Sequence, residues 1–497
     1  MRTRFSAALG VWRARSVTTS RDRALLLYMG ALVALVVVVP LGRAVWLSVV
    51  SPGGVALFAG SAAPTVATGV VAALWAAALL VGRDRGPAVR SPFLTWALST
   101  SALSRVTTFG GPVLRSGVLV TAVCSIAAGV IGASLASQGL ATVADAVGFT
   151  AIGSLVGVIG VVAWLAGQVF PKTAVAAAIG IIAIGTLTIA IPALQPFTPW
   201  GWVGIAYPGA GTSNVLMPMV ALAGALAAAA PALLNRLASD QLVGQATRWD
   251  SAATLATGLD LGAAAGIYQA RPVLGRRIRA VRPRRHLGWM FVVRDAVGAI
   301  RTPGRFLVGV LAISAGGVLL VFAFAPATPG WLFGATAGVL VFAGLGPLTD
   351  GVRHAANVAA DFPLYGISDE QLLTNHALFP LAVVVLVLFL AVIVGSILIG
   401  ITPGAAIVGA IALGLIALGN RIGNALKGPL PPFLLTPAPT AAGDPMAAVR
   451  AAWAVDGLLL ATLGGAAAAV VFQVPLLIIG VTITVAGIVI NRWRTRR

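Results

Sequence analysis

Apolar residues in this chain run on for about 20 positions at a time, which is the length a helix needs to cross a bilayer core. Proline, glycine and charged breaks separate twelve such runs. They predict spans at roughly 24–48, 62–82, 114–136, 145–169, 173–194, 215–234, 305–325, 330–349, 377–400, 404–420, 450–472 and 475–491. The expected fold class is all-α: a polytopic membrane protein of about 12 transmembrane helices. The basic N-terminus leads into an apolar run too long for a signal-peptide core. No small-residue cleavage site closes that run, so removal is not expected.

Charge orients the spans. With the N-terminus inside, every second connection is cytoplasmic, and of the 33 Lys and Arg residues all but Arg43 fall in or beside cytoplasmic segments. The outward loop 195–214 has no charged residue, and its Trp200, Trp202 and Tyr207 suit an interfacial aromatic belt. The basic C-terminus also falls inside, as an even number of spans requires. Seven arginines within "RPVLGRRIRAVRPRRH" (271–286) then mark the longest cytoplasmic segment, where contact with anionic membrane lipids is natural. No aromatic interleaving or nucleic-acid-binding motif accompanies them, so nucleic acid is not expected as a partner.

Composition agrees. With 59% hydrophobic and 9% charged residues, a 497-residue soluble globule could not cover its apolar surface. The single cysteine, Cys124, excludes an internal disulfide framework and reads as a small buried side chain. Arginine greatly outnumbers lysine and alanine is abundant, pointing to a GC-rich bacterial genome and a place in the bacterial cytoplasmic membrane.

The two halves share a layout. "VWRARSVTTSRDRALLLYMG" (11–30) and "WMFVVRDAVGAIRTPGRFLVGV" (289–310) are basic segments that run directly into spans one and seven. Each is followed by two spans and a cytoplasmic connection of about 30 residues, an internal duplication of the kind transporters use. The expected organisation is a first six-span half at 1–234, a central basic segment at 235–304, and a second six-span half at 305–497. Residues 421–447 have no counterpart in the first half.

Few side chains suggest chemistry. No phosphate loop occurs; "AGQVFPKT" (166–173) has Pro171 where such a loop needs glycine. The three histidines, His286, His354 and His376, are too scattered in sequence to argue for a metal site. No clustered carboxylates suggest a membrane hydrolase, so the chain is not expected to be an enzyme. Ionisable groups expected inside spans are Asp456, with Arg450 at the cytoplasmic edge, and Arg43 with Asp145 at the outer edge. Asp456 is a candidate for substrate or proton coupling; its ordinary alternative is to pair or snorkel at the interface. Arg43 and Asp145 would form a structural pair if they meet. Around "HLGWMFVVRDAVGAI", Leu287, Met290, Phe291 and Val297 recur at helical spacing with Arg294 and Asp295 on another face, which predicts an amphipathic interfacial helix.

The run "RRHLGWMFVVRDAVGAIRTPGRFLVGVL" resembles the ABC-2-like exporter permeases, in which a basic interfacial helix with an R-D pair and an R-x-P-x-R turn leads into a six-span unit. "VWRARSVTTSRDRALLLYM" is similar, and "DFPLYGISDEQLLTNHALFP" looks like the family's connection between spans two and three. The resemblance covers most of the chain, as in permeases with two fused six-span units. It implies export of an unidentified small-molecule or lipid-like substrate, driven by a separate ATPase subunit that would hold the ATP and magnesium; no cofactor is expected in this chain. It also implies that Arg13, Arg23, Arg294, Asp295, Arg301 and Arg305, with the connections 86–105 and 361–376, face that ATPase as coupling elements. The 421–447 insertion and the degenerate N-terminal segment depart from the pattern. Two alternatives stand beside it: a major-facilitator-type carrier, whose loop motif "GPLTDGVRH" (346–354) resembles, and a non-transporting accessory subunit.

Overall fold

The computed structural model describes residues 10, 20–209, 215–269, 275, 278–279, 286–326, 328–358, 366–428, 430–431, 434, 436, 444 and 446–495. They form helices and connecting turns, with no strand among them. Eleven of the described helices are long and apolar enough to cross a membrane. The twelfth expected span, 173–194, is a helix of 17 residues, Ala174–Ala190, about 26 Å long at 1.5 Å per residue. The chain is a helical integral membrane protein by length and composition of its helices. It divides into two compact units, Met1–Thr254 and Leu255–Arg497.

In the first unit, α1 (Ser20–Val33) passes through a π-helical turn at Ala34–Val38 into α2 (Val39–Val49). Pro40 accounts for the turn: it has no N–H to donate and its ring crowds the preceding carbonyls, so the helix widens just before it. A short α3 (Pro52–Phe58) precedes α4 (Ala63–Asp84), α5 (Pro92–Ser99), α6 (Arg105–Ser137) and α7 (Val143–Val169). Then come α8 (Ala174–Ala190), α9 (Pro199–Ile205), α10 (Leu216–Asn235) and α11 (Ser239–Thr257). The central helix is α7, which packs on α4, α6 and α10. Phe149, Ile152, Val156 and Ile159 lie on its buried side.

The aromatic loop residues are not the lipid-facing belt expected from sequence. Trp200 and Tyr207 are buried: α9 lies against α4, and Tyr207, in the turn after α9, meets Phe149 of α7 edge-on. Trp200 sits edge-on to Trp75, 6.3 Å between centroids, and its Nε1 donates to Thr188 Oγ1 at 3.2 Å. The Tyr207 hydroxyl donates to the Phe58 carbonyl at 2.9 Å, and burial pushes the phenol above its ordinary pKa. Trp202 stays partly exposed and donates to the Pro196 carbonyl.

In the second unit, α12 (Leu261–Gly266) and α13 (Leu287–Arg301) precede the spans. Those are α14 (Pro303–Ala323), α15 (Gly330–Leu345), α17 (Asp369–Ile399), α18 (Gly404–Ala425), α19 (Met446–Ala469) and α20 (Pro475–Thr495), with a short α16 (Asp350–Val358) after α15. Pro303 at the first turn of α14 separates it from α13, since proline there gives up only an N–H that has no helical partner. The core contains fully buried Leu320, Val341, Leu388 and Leu413. α15 lies against α14 and α19. A Cβ on Gly338 would collide with the Ala461 carbonyl oxygen, so the α15–α19 crossing depends on that glycine.

Candidate functional site

Among the described residues of the second unit, the ion pairs gather where α13 and α16 meet the spans and around Asp456, here termed the arginine-rich end. There α13 lies against α17, the span that starts with a Ser368–Gln371 capping box. Phe291 and Asp295 are four residues apart, hence on one face, and that face is buried: Phe291 is 4% exposed and the Asp295 side chain 8%. This corrects the sequence expectation, which set Asp295 on a different face from Phe291. The reason is a partner 81 residues away. His376, near the start of α17 and 1% exposed, places Nδ1 2.7 Å from Asp295 Oδ2. Phe291 meets the His376 ring edge-on at 4.7 Å. From the other side α16 brings His354 to 6.3 Å from the His376 ring and seats Gly351 directly over the pair. A Cβ on Gly351 would lie 2.6 Å from Asp295 Oδ2, so only glycine fits there.

Histidines scattered in sequence thus come together in space, two of the three at one junction. They build no metal site: among the described residues no group of three or more His, Cys, Asp and Glu is placed to hold an ion. His376 is almost fully buried, and its contacts join α13, α16 and α17.

The remaining expected coupling residues hold neighbouring backbone and loops. Arg305, in the first turn of α14, pairs with Asp350 at 2.9 Å, and Arg353 reaches the same carboxylate at 3.8 Å. Arg301 Nη2 donates to the Ile278 carbonyl at 2.8 Å. Arg294 has its guanidinium carbon 5.9 Å from the centre of the Phe291 ring. Burial, and then the nearby Arg294 and His376, hold the His354 imidazole below its ordinary pKa, with Asp295 opposing them. Arg13, most of 271–286 and residues 361–365 of the expected connection lie outside the described residues, as does the Arg23 side chain.

Asp456 is engaged by two cations that the sequence did not suggest. Its Oδ1 accepts from Lys427 Nζ at 2.8 Å and its Oδ2 from Arg492 of α20. Lys427 lies 3.9 Å from the Trp453 ring centre, and burial lowers its pKa against the opposing pull of Asp456. Arg450 does not serve Asp456; it pairs with Asp444 at 2.5 Å and donates to the Leu434 carbonyl. The outer pair also fails to form. Asp145 is spent on a capping box with Thr142 at the start of α7, accepting from its N–H at 3.0 Å and its hydroxyl at 2.8 Å. No ion pair joins it to Arg43.

The first unit has its own buried polar junction. Gln168, in the last turn of α7, and Gln245, on α11, are both fully buried. Gln168 Nε2 donates to Gln245 Oε1 at 2.8 Å, and the N–H of Gly86 donates to the same oxygen at 3.1 Å. The N–H of Ala88 donates to Gln168 Oε1 at 3.1 Å, while Gln245 Nε2 donates to the carbonyls of Gly82 and Arg83. Two side-chain amides thereby satisfy the turn that leaves α4 and tie α11 to it. A glutamine closing an apolar span was the only sequence signal of this junction.

No family model, curated protein or solved structure matches the chain.

Proposed function

We propose that this chain is the membrane-spanning permease subunit of an ATP-driven exporter. It works with a separate phosphate-loop ATPase docked at the arginine-rich end and moves an apolar or amphipathic substrate. One observation carries the reading: the buried Asp295–His376 pair makes the amphipathic helix α13 and the 31-residue α17 a single mechanical piece. Arg305 and Asp350 extend that piece to α14 and α16. A partner that changes shape on ATP hydrolysis needs such a lever outside the bilayer, because force applied to a loosely tethered helix is lost in bending. The chain has no phosphate loop of its own, so its energy must come from elsewhere.

The second polar centre favours this reading over a secondary carrier. A carboxylate that couples ion flow to transport must exchange partners during the cycle. Asp456 is instead held by Lys427 on one oxygen and Arg492 on the other, and Lys427 is braced by Trp453.

The test is purification of the tagged chain from its native membrane in mild detergent, with mass spectrometry and an ATPase assay. A stoichiometric phosphate-loop ATPase is expected. The chain alone, without ATPase activity, overturns the proposal in favour of a carrier or accessory subunit.

A further inference from the structure

In the first unit the turn after α4, the start of α5, and parts of α6, α7 and α11 surround an open cavity of about 580 Å³. Three guanidinium groups line it, from Arg85, Arg90 and Arg115, against one carboxylate, Asp250. Two of the three are fixed in place. The Arg85 guanidinium stacks 3.2 Å from the centre of the Trp249 ring, and the Arg85 carbonyl accepts from Trp164 Nε1 at 2.6 Å. Arg90 Nε donates to the Thr108 carbonyl at 2.9 Å.

Other polar groups line the same wall. Arg115 and Ser91 are exposed and Ser116 half-buried, and among the described residues none of the three side chains makes a hydrogen bond or ion pair within the protein. Ser91 is the N-cap of α5 without making the cap bond, and the Ser116 hydroxyl does not turn back to a carbonyl of its own helix. Three side-chain donors not used within the protein and open to solvent, beside two anchored arginines and the first turn of a helix, form a concave surface suited to an anion with several oxygens. Leu94 and Pro112 add an apolar rim.

We propose that this cavity binds a phosphate mono- or diester, with Arg115, Ser91 and Ser116 as ligands and Arg85 and Arg90 as fixed counter-charges. An anionic phospholipid headgroup and a soluble phosphate compound offer the same chemistry. The proposal is independent of the exporter reading.

The experiment measures binding to the purified full chain in neutral detergent by native mass spectrometry. The probes are short-chain phosphatidylglycerol, short-chain phosphatidylcholine and inorganic phosphate. The variants are R115A, the double variant S91A/S116A, and R83A, which removes an exposed arginine outside the cavity. Saturable phosphatidylglycerol binding, stronger than that of phosphatidylcholine, is expected, weakened about tenfold by R115A and unchanged by R83A. The double serine variant keeps every charge and is expected to weaken binding too, which separates lost ligands from lost net charge. Inorganic phosphate binding with the same dependence on Arg115, and no preference between the lipids, supports the site and assigns a soluble ligand. Equal effects of R115A and R83A, or no saturable binding of either phosphate probe, overturn it.

Discussion

Asp295 and His376 stand 2.7 Å apart with almost none of either side chain exposed. They belong to two helices distant in sequence, α13 and the membrane-length α17. A carboxylate buried this deeply is costly unless a donor meets it, so each residue depends on the other.

Asp295→Ala is therefore expected to destabilise the protein by on the order of 3 kcal/mol, because it strands the His376 Nδ1–H in a closed site. His376→Asn retains a donor near the carboxylate and should cost less. Denaturant unfolding in detergent measures both; equal losses for the two variants would contradict the pairing.

Stability should also depend on pH through His354. Burial and neighbouring Arg294 and His376 lower its pKa in the folded protein, so the unfolded chain takes up its proton first as pH falls. The stabilising contribution is complete above the ordinary histidine pKa near 6.5 and is lost progressively as pH drops from there through the depressed folded value. A melting temperature that falls between about pH 7.5 and 5.5, and falls less in His354→Gln, is expected. An identical pH profile for the variant would count against it.

Asp456 separates structure from transport. Asp456→Asn leaves Lys427 and Arg492 close together without their counter-ion, and a loss on the order of 3 kcal/mol is expected. The double variant Asp456→Asn/Lys427→Met removes one stranded cation and should recover part of it. If the single variant melts like the parent but abolishes transport, Asp456 is a coupling residue and the exporter reading fails.

In the first unit, Gln245→Leu removes the acceptor for the Gly86 N–H and the donor to two carbonyls. A cost of about 2 kcal/mol follows from leaving those groups unpaired. Amide hydrogen exchange should rise at Gly86 and at Ala88, which relies on the neighbouring Gln168. Unchanged protection there would show that the turn holds without the amide ladder.

Eleven of the twelve expected spans were legible in the sequence as membrane-length helices, including the short runs near 404–420 and 475–491, which are the helices Gly404–Ala425 and Pro475–Thr495; the run 173–194 is the shorter helix Ala174–Ala190. So was the amphipathic helix around Arg294, observed as Leu287–Arg301. The polar centres were legible only in fragments. Asp456 stood out as a charge in an apolar run, yet its partners come from residues 427 and 492, either side of a helix that the sequence leaves unrotated. Arg450, nearer in sequence, turned to Asp444. Arg43 and Asp145 were matched by expected depth alone, and depth says nothing about which way a side chain faces. Trp200 and Tyr207 had interfacial character, but α9 and the turn after it carry them inward.

By itself the sequence determined the helical membrane architecture, since a backbone in hydrocarbon must satisfy its hydrogen bonds within each segment, and length and apolarity are local properties. Only the tertiary structure decided that His376 meets Asp295, that Gln168 meets Gln245, and that Lys427 and Arg492 share Asp456. Those pairings depend on helix rotation and crossing distance, which are set by small residues such as Gly338 and Gly351 pressing against distant parts of the chain.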